Sequence, residues 1–146
     1  MPTKTINDEI DKEFEDILKN IAQKGILTIE SIDRLSKLFS IEQISKVKEI
    51  MGEIVKVTFI PSSRIVWMKL GTDRDYLLYP KKYCSCMDFY LQGILKNRKY
   101  YCKHLIAQGI VAELTKKNPQ SIEIVERDEN FKEKVTQQLS FEHFLI

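Results

Sequence analysis

Four residues of this chain have types and spacing that could do chemistry together: Cys84 and Cys86, then Cys102 and His104. They read as Cys-Ser-Cys, fifteen intervening residues, then Cys-Lys-His, and they use all three cysteines and one of the two histidines. Zinc favours tetrahedral sites of thiolate and imidazole, and four protein donors close a structural site. A Cys₃His set meets that requirement with no cysteine left over, so the chemistry to expect is metal binding, with Zn²⁺ as the cofactor. Three thiolates and a neutral imidazole around Zn²⁺ leave one negative charge, which Lys81, Lys82 and Lys103 are placed to offset. Other readings are weaker. A Cys84–Cys86 disulfide is geometrically poor at such short range. A Cys/His catalytic pair needs one nucleophile and an orienting third group, whereas here each thiolate competes with two others. Three unrelated buried cysteines would give the same composition without the paired spacing.

The elements that must hold these donors can be read from periodicity. Ile6, Ile10, Phe14, Ile17, Leu18 and Ile21 fall at helical spacing, with Gly25 as a stop. A second helix has Thr28 as N-cap and Ile29, Ile32, Leu35 and Leu38 along one face, with Leu27 and Ile32 placed for a hydrophobic staple. A third opens on the capping box Ser40 to Gln43 and runs through Ile41, Ile44, Val47 and Met51 to Gly52. The pattern then turns to strands: Glu53 to Ile60 with Val55, Val57 and Phe59 on one side, Arg64 to Leu70, and Asp75 to Pro80, separated by short turns. Short turns between successive strands predict a three-stranded antiparallel meander. A helix should open near Cys86 and break at Asn97-Arg98-Lys99, and another should start near Lys103 and carry Leu105, Ile106, Ile110, Val111 and Leu114. Residues 121–126 alternate like a short strand, and Glu129 to Leu139 reads as a last helix. The fold class is therefore α+β: an N-terminal helical segment over 1–52, a metal-stapled module over 53–117 and a C-terminal helical tail over 118–146, in one compact unit. In such an arrangement the metal would clamp the sheet to the helices, and local folding would depend on it.

At 146 residues, 43% hydrophobic and 30% charged, the composition is that of an ordinary globular domain with a core of its own. No apolar run reaches the ~18–20 residues of a membrane span, and the start Met1-Pro2-Thr3-Lys4-Thr5 lacks an export signal's apolar stretch. An odd cysteine count then points to a reducing, intracellular setting: cytoplasm or nucleoid, or the nucleus of a eukaryote. The net charge of +2 hides an asymmetry. Residues 51–117 carry 12 basic and 5 acidic side chains, whereas 1–50 carry 8 and 10 and 118–146 carry 3 and 6. All six tyrosines lie between 76 and 101. Basic groups interleaved with rings suit single-stranded nucleic acid, and Lys81, Lys82, Arg98, Lys99 and Tyr100 are the candidate contacts. The same residues could equally be core rings and a solvated face. The acidic flanks are better placed to meet protein, with two candidate apolar anchors: the helix face of Ile10, Phe14 and Ile17, and the tail of Phe141, Phe144 and Leu145. No Gly-rich phosphate loop or paired-carboxylate constellation supports catalysis.

The Cys-x-Cys … Cys-x-His pattern resembles the SWIM zinc finger, and a sheet followed by this motif and a helix is similar to its ββα fold. Ala107, three residues after His104, matches the Cys-x-His-x-x-Ala extension of small SWIM proteins of the Shu-complex type, as do the runs Tyr83 to Cys86 and Cys102 to Leu105. The resemblance covers roughly residues 53–115 and departs at none of the four ligand positions. It implies a non-catalytic, zinc-binding adaptor that acts with a RecA-fold recombinase paralogue in DNA repair by homologous recombination. SWIM fingers also occur beside transposase and chromatin-remodelling domains, so the alternative it implies is a stand-alone nucleic-acid-binding module.

Overall fold

The computed structural model describes residues 6–72 and 74–138. Three helices open the chain: α1 (Ile6–Lys24), α2 (Ile29–Leu38) and α3 (Ile41–Ile50). Their boundaries follow local chemistry. Gly25, at φ 73°, closes α1 and donates its N–H to the Ile21 carbonyl at 2.8 Å. The Thr28 hydroxyl accepts from the Ser31 N–H at 3.1 Å, and the Ser40 hydroxyl from the Gln43 N–H at 3.0 Å. The apolar faces are narrower than the periodicity suggests. Ile32, Leu35 and Leu38 pack inward, but Ile29 is 87% exposed and Ile41 is exposed as well, because each sits at the first helical position, at the rim of the layer.

The sheet is larger than the three strands expected. It has five strands in the order β4-β3-β2-β1-β5 and is mixed. Strands β1 (Ile54–Ile60), β2 (Ile65–Lys69), β3 (Tyr76–Tyr79) and β4 (Tyr83–Cys84) pair antiparallel in succession. The fifth, β5 (Glu123–Arg127), runs parallel to β1 on its other side. The Ser62 hydroxyl and N–H donate to the Asp128 carboxylate at 2.6 and 2.9 Å, tying the β1–β2 turn to the end of β5.

Both faces of the sheet are covered. Val57, Phe59 and Met68, with Val55, Val66 and Ile124 beside them, form a small core capped by Phe131 of α6 (Phe131–Gln138). The Phe59 and Phe131 rings meet edge-on at 4.9 Å. The strand face expected to be apolar is thus the one away from the N-terminal helices. The opposite face joins the main core, which draws on α1, α2, α3 and α5 (Lys103–Leu114) together with Ile54, Leu78 and Cys84. Every residue from His104 to Val111 is buried, because α5 packs on α1 and α3 and on strands of the sheet. A helix surrounded in this way shows no single apolar stripe. Where α1 meets α5, Gly109 admits the Phe14 ring: a Cβ there would stand 3.0 Å from Phe14 Cζ. Among the described residues no helix is long and apolar enough to cross a membrane.

Candidate metal centre

Strand register decides where the first ligand pair points. Trp67 pairs with Leu78 and Leu78 with Cys84, so all three lie on the sheet face that α5 covers. Ser85, between the two cysteines, pins this edge: its hydroxyl accepts the Leu77 N–H at 2.8 Å, and its own N–H donates to the Leu77 carbonyl at 3.0 Å. The chain then turns, and Cys86 becomes the N-cap of α4 (Met87–Phe89), which a π-helical turn continues over Tyr90–Ile94. The Phe89 N–H donates to Cys86 Sγ at 3.3 Å. Cys102 is the N-cap of α5, and His104 sits in that helix's first turn.

These local structures bring the four donors to one point. Cys84, Cys86, Cys102 and His104 are all buried, and their ligand atoms lie within 4.8 Å of one another. Cys84 Sγ stands 3.7 Å and Cys102 Sγ 4.0 Å from His104 Nδ1, which makes Nδ1 the metal-facing nitrogen. A tetrahedral zinc with its usual bond lengths needs donor–donor edges of about 3.5–3.8 Å. The four donors stand close enough to gather around one ion, and the set of three sulfurs and one nitrogen favours a borderline-soft metal over hard cations. The Tyr76 ring packs against the His104 ring at 4.8 Å and fixes its plane. Tyr76 and Ser85 adjoin the cluster, and the donor spacing alone does not single them out; Ser85 has the signal of lying between two donors, and Tyr76, eight residues before Cys84, has none.

Without a cation the cluster cannot hold three charges. Burial pushes the Cys84 and Cys102 thiols far above their ordinary range. Hydrogen bonds from Cys102 and Cys84 hold Cys86 far below it. A bound ion would take the place of the protons on the two raised thiols, so metal uptake and proton release are coupled. Four protein donors leave no position for water or substrate.

Helix α1 holds both arms of the site. Lys81, three residues before Cys84, forms an ion pair with Glu15. Lys99 pairs with Asp11 at 2.6 Å, and the Tyr101 hydroxyl donates to the same carboxylate. Replacing Asp11 with Asn removes both charge-assisted contacts. The exposed ion pair contributes little, so the expected loss of about 1–2 kcal/mol lies mostly in the half-buried Tyr101 contact. A double-mutant cycle with Tyr101→Phe in urea should give a coupling near that size, and strict additivity would show that the contact contributes nothing.

The other expected contacts sort unevenly. Lys81 and Lys99 are engaged with α1, and Tyr100 donates to Asp88 at 2.8 Å. Lys82 and Arg98 are exposed, with Arg98 folded onto the Gln92 carbonyl at 2.7 Å. The proposed anchor on α1 is corrected: Phe14 and Ile17 are fully buried, and Ile10 packs against the same core. Phe14 and Ile17 are taken up by this core, with Phe14 against Phe39 and Tyr101, and are not free to anchor a partner. Phe141, Phe144 and Leu145 lie outside the described residues.

Comparison with known proteins adds no relative. No family model matches the chain, and no curated protein or solved structure does. The reading of the centre rests on its own donors and their geometry.

Proposed function

We propose that the chain is a non-catalytic, zinc-binding adaptor of the SWIM type that acts with a RecA-fold recombinase paralogue in homologous recombination. The observation that carries this reading is the convergence of Cys84, Cys86, Cys102 and His104 at one buried point, from the end of β4 and the starts of α4 and α5. A closed tetrahedral centre staples a scaffold and offers no open coordination position for chemistry. The resemblance of the motif then supplies the biological setting.

The second reading is a stand-alone SWIM nucleic-acid-binding module, and the basic middle of the chain favours it. Against it, Lys81, Lys99 and Tyr100, three of the five candidate contacts, are committed to carboxylates of the chain itself. Isolation of the tagged chain from its native host, followed by mass spectrometry, should recover a RecA-fold paralogue in near-stoichiometric amount. The isolated chain should bind single-stranded DNA weakly and with a steep salt dependence. Changing Arg98 and Lys99 together to Ala should reduce that salt slope by about one phosphate contact, since Lys99 is held by Asp11. Tight, sequence-selective DNA binding by the isolated chain, with no protein recovered, would replace the adaptor with the second reading.

A further inference from the structure

The π-helical turn that follows Cys86 exposes three large aliphatic side chains together: Leu91, Ile94 and Leu95, at 44%, 48% and 59%. They fall within five residues of one another along the turn. The backbone is wound wide here, with the Leu95 N–H donating to the Tyr90 carbonyl at 2.9 Å and the Arg98 N–H to the Gly93 carbonyl at 3.0 Å. Wide turns of this kind inside helices cluster at functional sites. Beside the turn lies a groove of about 470 Å³ whose lining includes Lys82, Tyr83, Phe89, Gly93, Ile94 and Arg98. Cations rim it. Lys96 and Arg98 both donate to the Gln92 side-chain oxygen, at 2.7 and 3.0 Å, so an amide and not a carboxylate holds them in place. Lys82 is exposed as well. The nearby acid, Asp88, is taken by the Tyr100 hydroxyl.

We infer that this turn and groove form the docking surface for an acidic, amphipathic helical segment of a partner protein. The aliphatic trio would sit among the segment's apolar residues, with its carboxylates against Lys82, Lys96 and Arg98. The charge on the surface selects the acid and the aliphatic side chains select the amphipathic helix. Nucleic acid would supply the charge but has no use for the trio, because bases stack on rings. The rings of the groove are turned to the fold: Tyr83 and Phe89 pack on each other edge-on at 5.5 Å. The inference deepens the adaptor reading by naming its contact surface, and it rests on that reading only in requiring a protein partner.

The test selects a displayed short-peptide library on the zinc-loaded full chain and maps the winners by amide chemical shifts. Selected peptides should carry aliphatic residues at helical spacing among Asp and Glu, and should move the amides of Lys82 and of residues 91–98. The exposed double variant Leu91→Ser/Leu95→Ser, with zinc content and melting unchanged, should bind them at least tenfold more weakly. A chain with Lys82→Glu, Lys96→Glu and Arg98→Glu should lose acidic peptides and gain their Lys-substituted versions. Winners that are basic, that map elsewhere, or that bind the Leu91/Leu95 variant as well as the natural chain would overturn the inference. So would an oligonucleotide or an anionic lipid vesicle that displaces nothing but binds the same amides more tightly than every peptide. If a RecA-fold paralogue binds the Leu91/Leu95 variant unchanged, the surface is wrong and the adaptor stands. If the peptides bind as expected and no such paralogue is recovered, the surface stands and that partner is wrong.

Discussion

Replacing Cys102 with Ser is expected to abolish zinc retention and to destabilise the chain by several kcal/mol. Structural zinc in small peptides binds with about 10–16 kcal/mol, and that energy is released only by the folded arrangement of ligands. A domain's whole stability is about 5–15 kcal/mol, so losing even part of the metal's contribution is a large change. This chain differs from a minimal zinc finger because it has its own core, formed by α1, α2, α3, α5 and one face of the sheet. The loss should therefore fall first on β4, α4 and the start of α5, the segments that carry the four donors. Natural protein should carry one zinc per chain by elemental analysis. The Cys102→Ser protein should carry none and melt at a clearly lower temperature, with lost hydrogen-exchange protection concentrated at 83–105. Metal-free natural protein that melts like the metal-loaded form would remove the basis for a structural centre.

The grouping of the four candidate donors was legible in the sequence because each pair is local. Two donors two residues apart, twice, with no spare cysteine, leave few other arrangements. Caps were legible for the same reason: Thr28, Ser40 with Gln43, and Gly25 each act within one turn of the residue they satisfy. What was not legible is non-local. The parallel pairing of β5 with β1 joins Val57 to Ile124, and nothing in either segment encodes the other as its neighbour. The ion pairs of Lys81 and Lys99 with Glu15 and Asp11 likewise join residues far apart in the chain, so a basic, tyrosine-rich stretch looked freer than it is. Exposure at the first turns of α2 and α3 was hidden too, since periodicity gives a side of the helix and not where the layer ends.

The stripe on α1 shows the same limit most sharply, because an apolar helical face has one appearance whether it meets a partner or the chain's own core. Here it meets the core. The Phe14 ring packs edge-on against Phe39 at 5.3 Å and Tyr101 at 5.2 Å, and it fills the space left by Gly109. Truncating such a side chain costs about 3–5 kcal/mol, through lost burial and the cavity left behind. For a chain of this size that corresponds to a fall in melting temperature of about 6–20 °C. Phe14→Ala should show it with the partner absent, since the cavity opens inside the isolated chain. The neighbouring Tyr101 precedes Cys102, one of the four candidate metal donors, so bound metal should also exchange faster from the variant. Phe14→Asp, which buries a charge in the same place, should not fold at all, and its failure to bind any partner would then say nothing about an interface. The opposite result would be decisive: if Phe14→Ala melts like the natural chain yet loses a bound partner, the helix face is an interface, and the packing of α1 against α5 described here is wrong.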